Sequence, residues 1–256
     1  MAEGAKVGCD LADLRVLVTG GTRGIGAAIA GAFVGAGADV VIGGRDREGA
    51  AAAAAEIGGL GGAAIGIELD VRDERSVVAG VARAAELLGG LDVLVNNAGL
   101  GVRACNEHYL SDPDPFWEVP YDRFRALLET NVDGYFLCAR EAVRPMLEAG
   151  WGRIINVSMN EATMRRANFI PYGPSRAATD AMTYAMAAEL AGSGVTANLL
   201  APGGPTATAM ITAEASAEFR AQLLDPAIMG PPACWLASRA AADVNGEKIV
   251  AKDFRR

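Results

Sequence analysis

The chain has 256 residues, 51% of them hydrophobic and 21% charged, with a net charge of −8. That is ample for a sizeable core in one α/β domain, and the negative balance argues against a phosphate-backbone binder, so no nucleic-acid partner is expected. No run of eighteen uncharged apolar residues occurs and Met1–Asp10 lacks a signal-peptide core, so a cytoplasmic protein without a membrane partner is expected. In chain order, Leu14–Val18 reads as a buried strand that runs into a glycine-rich turn and then a helix over Ile25–Ala36. Ala38–Gly43 is a second strand, Asp46–Ile57 an Ala-rich helix, and Ala63–Leu69 a third strand closing on Asp70-Val71. Glu74–Leu88 repeats apolar residues at helical spacing, and Leu91–Val95 is a fourth strand ending at Asn96-Asn97-Ala98-Gly99. Gly101–Pro120 breaks the rhythm as a polar and aromatic loop, either a substrate wall or a solvated excursion. Tyr121–Ala149 reads as one long helix interrupted only by Pro145, followed by a strand over Gly152–Ser158 and a helix over Tyr172–Ala191. Gly194–Ala201 is a sixth strand closing on Pro202-Gly203, Pro226–Ser238 a short helix, and Lys248–Ala251 a last strand.

Alternation of strand and helix at this spacing predicts parallel βαβ units and a Rossmann-type doubly wound sheet with helices on both faces. The expected organisation is a single domain over residues 11–256, preceded by a flexible N-terminus over 1–10. Right-handed crossovers place the carboxyl end of every strand on one edge, where ligands bind in such sheets. The glycine turn, Gly44-Arg45, Asp70 and Asn97 all fall there. Gly20, Gly24 and Gly26 form a plausible seat for a pyrophosphate, because the helix that follows points free N–H groups at the turn. Their spacing, Gly-x3-Gly-x-Gly, differs from the Gly-x-Gly-x2-Gly fingerprint, so the turn by itself also fits a plain surface connection. Cys9, Cys105, Cys138 and Cys234 form no CxxC pair, and His108 is the only histidine. Free thiols and no metal site follow from that inventory.

Thr19-Gly-Gly-Thr-Arg-Gly-Ile-Gly26, Asn96-Asn-Ala-Gly99, Asn131, Tyr172-Gly-Pro-Ser-Arg176 and Pro202-Gly203 occur in the order seen in the short-chain dehydrogenase/reductase family. The chain resembles that family from Leu11 to about Ala251, and within it the 3-oxoacyl reductase and sugar-alcohol dehydrogenase-like members. The resemblance implies a nicotinamide cofactor, reversible hydride transfer between a carbonyl and a secondary alcohol, and a homotetramer or homodimer assembled through the helices around Asp133–Ala149 and Ser175–Ala191. It also implies cofactor contacts from Gly20, Thr22, Arg23, Gly24, Ile25 and Gly26 in the turn. Asp70 is expected at the adenine with Val71 beside it, and Asn97, Ala98 and Gly99 along the ribose and nicotinamide. Tyr172 and Arg176 are expected at the nicotinamide ribose, Pro202 and Gly203 over the nicotinamide, and Thr208 at the carboxamide or pyrophosphate.

Charge predicts which dinucleotide is preferred. NAD-binding members hold the adenosine ribose hydroxyls with an acidic residue at the end of the second strand. Here that place reads Gly43-Gly44-Arg45, with no carboxylate before Asp46. Arg45, helped by Arg23, matches the 2′-phosphate of NADP, since guanidinium fits phosphate geometry; NADP is expected, with NAD as the alternative.

The resemblance places Tyr172 as the proton donor, with Arg176 where the family has a lysine. Arginine keeps the positive charge and can donate to a ribose, but it does not readily lose a proton. The family's serine, thirteen residues before the tyrosine, falls on Met159. Ser158 lies one place earlier, where a bulge at the strand end would re-aim it, and Asn160 is the other nearby donor. Asn131 matches the family's water-holding asparagine. Met210–Gln222 is expected to form a substrate lid over an apolar pocket containing Met164, Phe169 and Trp117, while Arg165 and Arg166 either receive an acidic substrate group or sit in a solvated loop. Two alternatives to an active oxidoreductase are a dinucleotide-binding protein of the same fold with weakened or lost catalysis, motivated by Met159 and Arg176, and a cofactor-free scaffold.

Overall fold

The computed structural model describes residues 11–59 and 63–255, so the expectation of a flexible segment over 1–10 lies outside the described residues. Strand and helix alternate from the start: β1 (Arg15–Thr19), α1 (Gly24–Gly35), β2 (Asp39–Gly44), α2 (Arg47–Gly58), β3 (Ala64–Glu68), α3 (Glu74–Leu88) and β4 (Val93–Asn96). After the long loop come α4 (Tyr121–Leu128), α5 (Gly134–Ala149), β5 (Gly152–Val157), a single turn α6 (Glu161–Met164), α7 (Tyr172–Glu189) and β6 (Val195–Ala201). The chain ends with α8 (Ala217–Arg220), α9 (Gly230–Ala237) and β7 (Lys248–Val250).

The strands form one sheet in the order β3-β2-β1-β4-β5-β6-β7, with every neighbouring pair parallel. This is the Rossmann-type, doubly wound, single-domain fold that the alternation predicts. Side chains alternate across a strand, and here each face feeds its own core. Val16, Val18, Val40, Ile42, Val93 and Val95 pack with α1 and α9 residues such as Ile29, Phe33 and Leu236. Leu17, Val41 and Leu94 instead face Val77, Val81, Ala139 and Ala142 of α3 and α5. Burial on both faces explains why these strands read as near-continuous apolar runs. The order reverses between β1 and β4, which opens a crevice at their carboxyl ends.

The predicted helix over Tyr121–Ala149 is broken in a different place. A π turn over Glu129–Asp133 separates α4 from α5, whereas Pro145 sits inside α5 without ending it. A π turn widens the helix by one residue and re-aims side chains; here it carries Asn131. Pro145 lacks the N–H that would bond back to residue 141, yet the helix continues for four more residues.

Candidate active site

The glycine turn is built for close approach. Gly20 has φ of 62°, and a Cβ there would stand 2.7 Å from Ala98 Cα. A Cβ on Gly26 would collide with the Asn97 side chain and with the Gly20 carbonyl. α1 then begins with no side-chain cap on its N-terminus and no acidic residue in its first turn. Uncapped N–H groups and the positive end of the helix dipole suit a phosphate, so the residues present fit a pyrophosphate. Thr208, distant in sequence, is delivered to this turn: its Cγ2 would lie 3.1 Å from a Cβ on Gly24. Ile25 is half-buried against the core, and Thr22 lies against Gly44 at the end of β2. Pro202 and Gly203 follow β6, where Lys252 N donates to Pro202 O at 3.1 Å and Gly203 takes φ of 93°.

Asn97 serves the turn directly. Its Nδ2 donates to Thr19 O at 3.1 Å and to Gly20 O at 2.9 Å, while Thr19 Oγ1 accepts from the N–H groups of Asn97 and Ala98. The side-chain amide is therefore spent on joining β4 to β1. At the next strand end Asp70 takes a bidentate grip from Arg72, with Nη2 at 2.5 Å, and that hydrogen bond holds its carboxyl below the ordinary range. Val71 is buried against Gly134. Arg45 lies close enough to add its field to Asp70. Asp46, the first carboxylate after β2, caps α2 by accepting from Glu48 N at 3.2 Å and Gly49 N at 2.9 Å.

Tyr172 opens α7 and Arg176 follows one turn later on the same face. Arg176 is 3% exposed. Its Nη1 donates to Tyr135 Oη at 2.7 Å and to the Val157 carbonyl at 3.0 Å, and Tyr135 Oη donates to that same carbonyl at 3.1 Å. The guanidinium carbon lies 5.2 Å from the Tyr135 ring centroid and 5.7 Å from that of Tyr172. Its Nη2 occupies the space a Cβ at Gly99 would need. Burial opposes the charge, and the phenol oxygens of Tyr135 and Tyr172 outweigh it, so the guanidinium stays above its ordinary pKa. Burial likewise raises the Tyr135 phenol, against the opposing pull of Arg176. Tyr135 is the residue that sequence reasoning missed. Its signal was weak but present, an aromatic one helical turn after Asn131.

Two expected donors are already committed. The Ser158 hydroxyl donates to Asp180 Oδ1, and Asp180 Oδ2 accepts from Lys248 Nζ at 2.6 Å. A serine has one proton to give, so Ser158 holds β5 to α7 and β7 and is not the free donor expected. Met159, buried at 8% exposure, has no donor at all. The Asn160 side chain makes no hydrogen bond among the described residues. The Asn131 side chain is bonded within the chain: Oδ1 accepts from Leu100 N at 2.8 Å, and Nδ2 donates to Leu100 O at 2.9 Å and to Ser175 Oγ at 3.0 Å. Its side chain fixes the segment after Gly99, and its carbonyl accepts from Thr179.

Over the crevice, the 101–120 loop is clasped to the segment after β6. Arg103 Nη1 donates to Ala209 O at 2.7 Å, Ser111 Oγ donates to Glu214 Oε2 at 2.7 Å, and His108 pairs with the same carboxylate. Met164 is buried and the Phe169 ring lies 6.3 Å from that of Tyr172, as a pocket wall requires. Trp117 is not part of it; the ring is 72% exposed and packs edge-on against Phe116. Among the described residues no cluster of metal-ligating side chains occurs, and no helix is long and apolar enough to cross a membrane.

A family model described as short chain dehydrogenase matches residues 15–218. D-threitol dehydrogenase from Mycolicibacterium smegmatis is 33% identical over 246 residues, spanning 91% of this chain and 89% of that one. A 2-dehydro-3-deoxy-L-rhamnonate dehydrogenase (NAD(+)) from a Sphingomonas species is 34% identical, over 73% of this chain and 70% of the relative. The crystal structure of a gluconate 5-dehydrogenase from Burkholderia cenocepacia in complex with NADP and tartrate superposes with a TM-score of 0.84 at 31% identity, covering 94% of each chain. The chain therefore belongs to the short-chain dehydrogenase/reductase family, as an oxidoreductase that uses a nicotinamide dinucleotide and acts on CH–OH and C=O groups.

Proposed function

We propose that the protein transfers hydride between NADP(H) and a small carbonyl or secondary-alcohol substrate, with Tyr172 as the general acid in reduction. One observation carries the reading: Tyr172 and the buried Arg176 share one turn of α7, and the guanidinium packs on Gly99 at the carboxyl edge of β4, beside a glycine turn that fits a pyrophosphate. Bound NADPH supplies the hydride. Tyr172 donates a proton to the carbonyl oxygen, and Arg176 stabilises the phenolate that results by charge alone, since a guanidinium does not relay protons. Asn160, with an uncommitted amide, holds the substrate oxygen in place of Ser158. Asn131 is a positioning residue for Leu100 and Ser175.

The NADP preference is supported by Asp46, whose carboxylate is used to cap α2, leaving Arg45 as the charged side chain at the end of β2. Arg23, Gly20, Thr22, Gly24, Ile25, Gly26, Thr208, Pro202 and Gly203 would line the dinucleotide, with Asp70, Val71, Asn97, Ala98 and Gly99 continuing its length. A homodimer or homotetramer is favoured by exposed Phe136 and Leu147 on α5 and Tyr184 on α7, at 47%, 46% and 45% exposure. A cytoplasmic location belongs to the same reading. The second reading, a dinucleotide-binding protein with weakened catalysis, is favoured by the commitment of Ser158 to Asp180. Titration with NADPH and NADH, followed by turnover of a ketone panel by wild type and Tyr172→Phe, separates them. Tighter NADPH binding and at least a hundredfold loss of turnover in Tyr172→Phe are expected. Coenzyme binding without turnover of any ketone or alcohol favours the second reading.

A further inference from the structure

Three arginines border the mouth of the crevice, and they are not equivalent. Arg103 is held by Ala209 O and by Glu107 at 3.1 Å, and Arg165 is paired with Glu161. Arg166 has no carboxylate partner among the described residues; its guanidinium carbon lies 5.0 Å from the Phe169 ring centroid, and that ring is 6.3 Å from the ring of Tyr172. Those two steps bound its separation from the proposed proton donor. Tyr109, on the 101–120 loop, faces the same space. It is half-buried, lies within electrostatic reach of both Arg166 and Tyr172, and lines a small pocket with Val102, Asp114, Val119, Asn168 and Ile170. Its hydroxyl makes no hydrogen bond among the described residues.

An exposed guanidinium with no carboxylate partner among the described residues and a phenol hydroxyl free to donate thus stand on the Tyr172 side of the crevice, in a protein whose net charge is −8. A guanidinium pinned over a ring has less rotamer freedom to lose on binding, and its planar fork matches a carboxylate. One cation suits one negative charge. We propose that the substrate carries a carboxylate, seated between the Arg166 guanidinium and the Tyr109 hydroxyl, with its carbonyl or carbinol carbon at Tyr172. This rests on the carbonyl–alcohol reading above and names its substrate class as hydroxy and keto acids.

The test compares 4-oxopentanoate and 4-oxocyclohexanecarboxylate with their methyl esters, following NADPH oxidation by wild type, Arg166→Gln, Arg166→Lys, Tyr109→Phe and Arg165→Gln. A hydrogen bond to a charged group is worth about 1.5–3 kcal/mol, so wild type should favour acid over ester by roughly 10–100-fold in kcat/KM. Arg166→Gln should bring that ratio near one, mostly through the KM of the acid. Arg166→Lys should keep part of it, Tyr109→Phe should lower it severalfold, and Arg165→Gln should leave it in place. Equal handling of acid and ester by wild type, or an unchanged ratio in Arg166→Gln, overturns the proposal. Should no ketone turn over, calorimetry of cyclohexanecarboxylate against protein saturated with NADP+ decides the matter separately. Heat present in wild type and lost in Arg166→Gln supports the carboxylate site even though the oxidoreduction reading has failed. No heat in wild type removes the site.

Discussion

Tyr135→Phe tests the least expected feature of the site. The substitution keeps the ring, which is 1% exposed, and removes only the hydroxyl that accepts from Arg176 at 2.7 Å and donates to Val157 O at 3.1 Å. The Val157 carbonyl keeps its bond from Arg176 at 3.0 Å, so no acceptor is orphaned. Two hydrogen bonds are lost, and the larger loss is the buried, charge-assisted one from Arg176, worth about 2 kcal/mol. For a chain of this size that corresponds to a fall in Tm of roughly 4–8 °C. The loosened guanidinium should also stabilise the Tyr172 phenolate less well, lowering kcat about tenfold, or roughly 1.4 kcal/mol, with little change in the KM for substrate. Urea unfolding followed by circular dichroism gives the stability, and steady-state NADPH oxidation gives the rate. The discriminating step repeats the substitution in an Arg176→Lys background, where no guanidinium fork remains to be held. A coupling of about 1–2 kcal/mol between the two positions is expected. A Tyr135→Phe protein within about 0.5 kcal/mol of wild type, or one equally destabilised in the lysine background, would refute the reasoning.

Further outcomes follow from the same geometry. Ser158→Ala should cost about 1–2 kcal/mol of stability, since Asp180 loses a buried donor, while kcat changes less than Asn160→Ala makes it fall; the reverse ranking returns Ser158 to the substrate. Arg45→Ala should raise the Kd for NADPH about tenfold or more with a smaller effect on NADH, as loss of a phosphate-pairing guanidinium requires; parallel changes for both coenzymes would place Arg45 elsewhere. Glu214 is held below the ordinary carboxylate range by Ser111 and then His108. A depressed folded pKa gives a clasp that is complete above the unfolded value and is lost as pH falls through the lower, folded one. Proteolytic nicking of residues 204–225 should therefore stay constant from neutrality down to the ordinary carboxylate range and rise only below it, and Glu214→Gln should show the raised rate at every pH.

The strands, the order of the helices and the glycine turn were legible because they depend on local pattern. Val16–Val18 and Val40–Ile42 are apolar at every position, which two-sided burial demands, and the turn glycines announce themselves by type. Tyr172 and Arg176 were legible by spacing. The fate of Ser158 was not, because its partner Asp180 lies 22 residues on and reaches it only after α7 docks on β5. The π turn at Asn131 was hidden for a related reason. Widening by one residue leaves no compositional trace, whereas Pro145, which reads as a breaker, is tolerated inside α5. Hydrophobicity does not fix where Trp117 goes, because a loop aromatic packed edge-on against its neighbour Phe116 needs no core.

Arginine at position 176 first reads as damage, and its surroundings argue otherwise. A buried cation without a carboxylate costs several kcal/mol unless hydrogen bonds replace the lost water. Here a phenol and a main-chain carbonyl are aimed at one nitrogen, and a second phenol, that of Tyr172, stands beside the group. The other terminal nitrogen fits only because residue 99 is glycine; any Cβ there would displace it. Positions 99, 135 and 176 are thus mutually dependent, and a chain drifting after loss of catalysis has no reason to keep a charge buried at such expense. The arrangement makes sense if the cation serves Tyr172, which is the role a proton donor next to a nicotinamide site requires. Reverting to lysine alone should accordingly fail to improve turnover, because an ammonium would leave the Tyr135 hydroxyl without its donor and the Val157 carbonyl with Tyr135 as its one remaining donor among those bonds. A clear gain in kcat for Arg176→Lys would mean that the guanidinium had been tolerated and not recruited.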